Sequence, residues 1–268
     1  MKFNLNEKLL QIRLKPILIP PEHGIWGFTI EALILGLYLT EGISKYFITI
    51  MMFFLPFAKQ TLKIFLQDLF SGRTFLRKYI ALLFLIIFIM IFIFLFYFTY
   101  KFALYSFWYF ILLGFLLGLI VVLLEIKGFY QHVLTEILGS FIPIFFILGM
   151  NTTTEIQYDH LMFIVIVLGF RNVSSILLTI KLVDFIKFGN INNYFFIIFL
   201  LIISTLILYF YYFINLPMFY ILIIYLLIFI GLYYLIQFKI IKKAHQLGWI
   251  QIIIGLCYIL AMIIIHKN

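Results

Sequence analysis

Long apolar runs of Ile, Leu, Phe and Tyr alternate with short polar breaks along nearly the whole chain. Runs of about twenty residues with few charges have the length an α-helix needs to cross the roughly 30 Å hydrocarbon core of a bilayer. The pattern predicts nine such spans, at about 24–43, 46–69, 79–99, 103–124, 132–150, 160–183, 193–214, 218–238 and 246–265. The breaks carry turn residues: Gly42, Ser71-Gly72, Gly128, Asn151 with the threonines after it, Gly189-Asn190, and Asn215 with Pro217. Pro56 and Pro143 fall inside spans. Every connection is short. The expected architecture is therefore all-α, a polytopic helical bundle with one transmembrane domain over 23–268 and a basic arm over 1–22.

The arm sets Leu5, Leu9, Ile12 and Leu14 against Lys2, Lys8, Arg13 and Lys15. It lacks the uninterrupted apolar core and small-residue cleavage site of a secretory signal. It reads as a short amphipathic helix on the membrane surface or as a solvated tail.

Composition removes the soluble alternatives. Of 268 residues, 66% are hydrophobic, 21% aromatic and only 11% charged, against about a quarter charged in soluble domains. The net charge of +9 does not point to nucleic acid, because the basic residues lie in loops and at helix ends rather than on a soluble face. Membrane lipids and anionic lipid-like molecules are the expected partners. The single cysteine, Cys257, lies in the last run, where it can form no internal disulfide and supplies no metal-ligand spacing.

Basic residues also give the spans a direction, since translocation leaves Lys and Arg on the cytoplasmic side. One side holds the arm, then Arg73, Arg77 and Lys78, then Lys127, then Lys181 and Lys187, then Lys239, Lys242 and Lys243. The other holds Lys45, Lys101 and Lys267. The expectation is a multi-pass protein of the cell membrane with its N-terminus cytoplasmic and its C-terminus outside.

Candidate chemistry sits where polar residues interrupt the spans, because a charge at mid-helix costs about 2.5–3.5 kcal/mol on insertion scales. The first span opens with Pro21-Glu22-His23-Gly24-Ile25-Trp26-Gly27 and continues to Glu31. Positions 23, 27 and 31 share one helix face. Glu31 either lines a cavity or pairs with a neighbouring helix. The second span ends in Lys59, Gln60, Lys63, Gln67 and Asp68, followed by Arg73. Lys59, Lys63 and Gln67 recur every four residues and form a stripe suited to a phosphate or carboxylate, or else lysines that snorkel to the boundary. His132 and Glu136 are spaced to interact on one helix, a proton site or two weak metal ligands. Arg171 lies near the centre of the sixth span with Asn172, Ser174, Ser175 and Thr179 behind it, and must face the bundle interior. The last span opens with His245, Gln246, Gly248, Trp249 and Gln251.

The opening Pro-Glu-His-Gly-Ile-Trp-Gly segment, the run to Glu31 and Gly36, the Gln60-to-Arg73 segment and Leu247-Gly248-Trp249 resemble the YwiC-like family of bacterial membrane proteins. That resemblance implies architecture rather than an activity. A more distant resemblance is to the UbiA superfamily of intramembrane prenyltransferases, which implies nine helices and cytoplasmic Asp-rich motifs that hold magnesium and a prenyl diphosphate. In the register of its second-helix Asn and two Asp residues this chain has Gln60, Ile64 and Asp68, so one carboxylate is missing. At the sixth helix it has Arg171, Lys181, Asp184 and Lys187, with a single carboxylate.

Three functions follow as expectations. One is a UbiA-like fold that binds an isoprenoid, quinone or other lipid with an anionic or polar head in a cytoplasm-facing cavity, with no cofactor. Another is an active prenyltransferase, with Asp68, His23, Glu22 or Glu136 as acid, base or magnesium ligand. The last is a transporter in which Glu31, His132 and Arg171 line a pathway. The ligand-binding candidates are Glu22, His23, Trp26, Glu31, Lys59, Gln60, Lys63, Gln67, Asp68, Arg73, His132, Glu136 and Arg171, and no metal site is expected.

Overall fold

The computed structural model describes residues 14–20, 23–71, 75–102, 106–129, 133–151, 165, 168–180, 216–238, 241 and 244–267. Among them every regular element is a helix. In chain order these are α1 (Lys15–Leu18), α2 (His23–Leu39), α3 (Ser44–Ser71), α4 (Phe75–Phe102), α5 (Ser106–Leu124), α6 (Val133–Asn151), α7 (Leu168–Ile180), α8 (Leu216–Gln237) and α9 (Ala244–Lys267). A π-helical turn, Glu125–Phe129, extends α5.

Five of these helices are long and apolar enough to cross a membrane: Ser44–Ser71, Leu76–Phe102, Phe107–Phe129, Val133–Met150 and Gln246–Ile264. Trp26–Leu39, Leu168–Ile180 and Ile223–Gln237 are apolar but shorter. The all-helical class expected from the sequence is thus present, with five candidate spans among the described residues rather than the nine expected. The seventh expected span, 193–214, lies outside the described residues, and of the sixth the helical stretch Leu168–Ile180 is described.

The first span is shorter than its apolar run. α2 stops at Leu39 because Gly42 takes a positive φ of 85°, a conformation natural to glycine. Lys45 then donates from Nζ to the Thr40 carbonyl at 2.9 Å, which satisfies a carbonyl at the negative end of the helix. α3 and α4 are longer than expected, 28 residues each, or about 42 Å at 1.5 Å per residue. That exceeds the hydrocarbon core, so one end of this pair reaches the headgroup zone.

The chain forms two compact units, Met1–Gly169 and Phe170–Asn268. In the first, α3 pairs with α4 and α5 with α6, while α2 packs on α6 and α3. Glycines let the helices approach closely. A Cβ on Gly149 would lie 2.9 Å from Ile111, one on Gly114 3.0 Å from Phe146, and one on Gly36 3.1 Å from the Met150 sulfur. Aromatic rings tie α4 to α5, with Phe96 stacked on Trp108 and Phe92 edge-on to Phe115. α4 buries Ala81, Phe88, Phe92, Leu95 and Thr99 and exposes Leu83, Ile86, Met90, Ile93 and Phe94. Its outer face is as apolar as its inner one, as expected where the surrounding solvent is lipid.

The N-terminal segment is held to this unit at its described end. Ile17 is buried against Ile64 and Ala81, with Phe65 and Ile80 beside them. The amide of Gln60 donates to the Pro16 carbonyl at 2.9 Å. In the second unit α8 packs along α9, and side chains of α7 reach both, as described below.

Candidate functional site

The polar end of α3 has two faces with different partners. Lys59 and Lys63 point to the end of α5, where Lys59 Nζ meets Glu125 Oε1 at 2.6 Å and Lys63 Nζ meets Oε2 at 2.7 Å. Gln60, Ile64 and Asp68 lie about 100° round the helix and face α1 and α4. There Gln60 holds Pro16, Ile64 joins the apolar cluster, and Asp68 Oδ2 sits 3.2 Å from Arg77 Nε of α4.

Glu125 was not among the residues the sequence pointed to. It ends an apolar helix, and the turn from α-helical to π-helical backbone begins at it. Gly128, at φ 94°, then terminates the turn. A carboxylate beside so apolar a run was the available signal, since a buried carboxylate in a span requires a partner.

Burial divides the ion cluster unevenly. The Glu125 side chain is 7% exposed, whereas Lys59 and Lys63 keep 17% and 13%. Both lysine side chains thus keep more accessible surface than the carboxylate they pair with.

The remaining candidates of the first unit take separate roles. Trp26 packs its indole edge-on to Phe57 at 5.1 Å and tilted to Phe53 at 6.4 Å, which fixes α2 against α3. Glu31 is fully buried, so it faces the protein interior. Glu136 is half-buried in the first turn of α6, where the helix dipole favours an acid. Gln67 is half-buried. Glu22, Arg73 and His132 lie outside the described residues, and of His23 the helical backbone is described. Lys59, Lys63 and Glu125 are therefore brought together, and Gln60 and Asp68 are turned to neighbouring helices.

Of the carboxylates that the UbiA resemblance implies for magnesium, Asp184 lies outside the described residues and Asp68 is paired within them. Asp68 is committed to Arg77 and the Gln60 amide to a backbone carbonyl. No group of three His, Cys, Asp or Glu side chains able to hold a metal occurs among the described residues.

In the second unit Arg171 is 2% exposed and donates from Nη2 to the Gln251 carbonyl of α9 at 2.7 Å. Gln251 donates from Nε2 to the Ser175 carbonyl at 3.1 Å, and Thr179 Oγ1 reaches Gln251 Oε1 at 3.3 Å. The Ser174 and Tyr225 hydroxyls are hydrogen-bonded at 3.1 Å, joining α7 to α8. Tyr225 had no polar neighbour in sequence to mark it.

No family model, curated protein or solved structure matches the chain.

Proposed function

We propose that this is a multi-pass protein of the cell membrane that binds a lipid or isoprenoid with an anionic head at Lys59 and Lys63, without metal-dependent chemistry. The supporting observation is the ion cluster itself, in which the Glu125 side chain is 7% exposed and those of Lys59 and Lys63 keep 17% and 13%. Glu125 holds the two cations in place, and a phosphate or carboxylate that reaches the lysine side chains would interact with them by charge. An apolar tail would then lie along helices whose outer faces are already hydrocarbon-like.

The same reading includes the UbiA-like nine-helix arrangement, the YwiC-like kinship and a cytoplasmic N-terminus. Transfer of a prenyl group forms no part of it. A diphosphate leaving group needs metal carboxylates, and Asp68 is tied to Arg77.

Mass spectrometry of the protein purified in mild detergent tests the proposal. Wild type should carry an anionic lipid or isoprenoid that is lost in Lys59→Ala/Lys63→Ala. Retention at the wild-type level in that double variant would refute the assigned role of the two lysines.

A further inference from the structure

Three Lys–Tyr pairs stand at the ends of the long helices of the first unit, outside the ion cluster. Lys45 lies over the Tyr46 ring at 5.4 Å, Lys101 over Tyr97 at 5.2 Å and Lys78 over Tyr79 at 5.6 Å. All three rings are exposed, as are Tyr100 and Tyr109. A ring with an apolar body and a polar tip, beside an ammonium, suits the zone where hydrocarbon gives way to lipid phosphate.

The helix contacts bring these pairs to two levels. α3 and α4 run antiparallel, with Phe47 stacked on Phe98, Phe57 on Phe88, and Asp68 meeting Arg77. Lys45 and Tyr46 therefore stand level with Tyr97, Tyr100 and Lys101, while Lys78 and Tyr79 adjoin the Asp68–Arg77 pair at the opposite end. α5 continues both levels. Its Trp108 meets Tyr100, which places Tyr109 at the first, and its Phe115 lies edge-on to Phe92. Thirteen residues separate Phe92 from Tyr79 and thirteen separate Phe115 from Gly128, so the exposed Lys127 and Phe129 fall at the second.

The distance between the levels matches a bilayer. Eighteen residues separate Tyr79 from Tyr97 and eighteen separate Tyr109 from Lys127, about 27 Å of helix against a hydrocarbon core of roughly 30 Å. On α4 and α5 the one charged residue between those limits is Glu125, which is buried. Lys63 lies five residues from Asp68, and Tyr79 two from Arg77, so Lys63 sits about 5 Å inward of the Tyr79 level. Glu125, three residues short of Gly128, reaches the same depth.

We propose that the two levels are the faces by which the first unit meets a bilayer, with lipid phosphates at Lys78 and Lys127 on one side and at Lys45 and Lys101 on the other, and with the Glu125 ion cluster about one helical turn inside the hydrocarbon. A molecule that reaches Lys59 and Lys63 then does so below the phosphate plane. The assignment rests on the multi-pass reading above, but not on anion binding by the two lysines.

Spin labels test it, attached to the full-length protein on a Cys257→Ser background in dioleoylphosphatidylcholine vesicles. They are placed singly at exposed positions through Tyr79→Cys, Leu83→Cys, Met90→Cys, Tyr97→Cys, Tyr100→Cys and Leu123→Cys. The ratio of oxygen to nickel-chelate collisions rises with depth. It should be highest at Met90, lower at Leu83 and Tyr97, and lowest at Tyr79 and Tyr100. Leu123, beside the ion cluster on α5, should match Leu83. A maximum at Leu83 or Tyr97, or a Leu123 label as deep as Met90 or as shallow as Tyr79, would overturn the placement and leave a membrane protein. Ready nickel access at all six positions would overturn it together with the multi-pass reading.

Discussion

The two units solve the problem of polar groups in an apolar protein in different ways. In the first, charge meets charge: Lys59 and Lys63 close on the two oxygens of Glu125. In the second, neutral pairs tie α7 to its neighbours, Gln251 with Ser175 and Thr179 and Ser174 with Tyr225, and the Arg171 guanidinium donates to the Gln251 carbonyl. An ion cluster is strong while intact and fails severely when one member is lost, since the survivor is a buried uncompensated charge. Neutral pairs spread their contribution over several bonds of modest worth.

Substitution at Glu125 should break the contrast most sharply. Glu125→Ala leaves the Lys59 and Lys63 side chains, 17% and 13% exposed, without this carboxylate, and a loss of about 3–5 kcal/mol is expected, read as a lower midpoint of thermal unfolding in detergent. Lys59→Ala or Lys63→Ala alone should cost less, because Glu125 keeps one partner. The double variant should cost more than the sum of the two singles, about as much as Glu125→Ala, because only then is the carboxylate stranded. Additive losses would mean that the three residues do not act as a unit.

Packing at the close helix contacts comes next. Gly149→Ala drives a methyl into Ile111 at 2.9 Å and should cost about 1–3 kcal/mol. Gly36→Ala meets the flexible end of Met150 and should cost clearly less in the same thermal assay. Equal effects would argue against the tight α5–α6 contact. The smallest change is expected in the neutral pairs. Tyr225→Phe removes one hydroxyl bond and should cost about 0.5–1.5 kcal/mol, nearer the lower end if bonds in this protein behave as in other membrane helices.

Much of the first unit was legible along the chain. Gly42 and Gly128, read as breaks, are the two glycines with positive φ among the described residues, because turn chemistry is local. The Lys59–Lys63 face was legible for the same reason, being a spacing within one helix. Its partner was not: Glu125 lies more than sixty positions away, and helical periodicity says nothing about which helix lies opposite. The buried face of α4 was hidden for a different reason. Residues on both of its faces are Ile, Leu and Phe, and the inner face is marked mainly by the small residues Ala81 and Thr99. Gln60 and Asp68, named with the lysines as ligand-binding candidates, lie on the neighbouring face, where Gln60 bonds Pro16 and Asp68 pairs with Arg77. Arg171 was expected to face inward and does, since a permanent charge permits little else, but nothing in the spacing tied it to Gln251 or linked Ser174 to Tyr225.

The account depends most on the claim that the two lysines of the ion cluster receive an anion, and Glu125→Gln tests it directly. Glutamine keeps the shape and removes the competing negative charge, so a monodisperse Glu125→Gln protein should retain as much anionic lipid as wild type or more under native mass spectrometry, while Lys59→Ala/Lys63→Ala retains none. Loss of the lipid from Glu125→Gln together with its persistence in the lysine double variant would contradict the account.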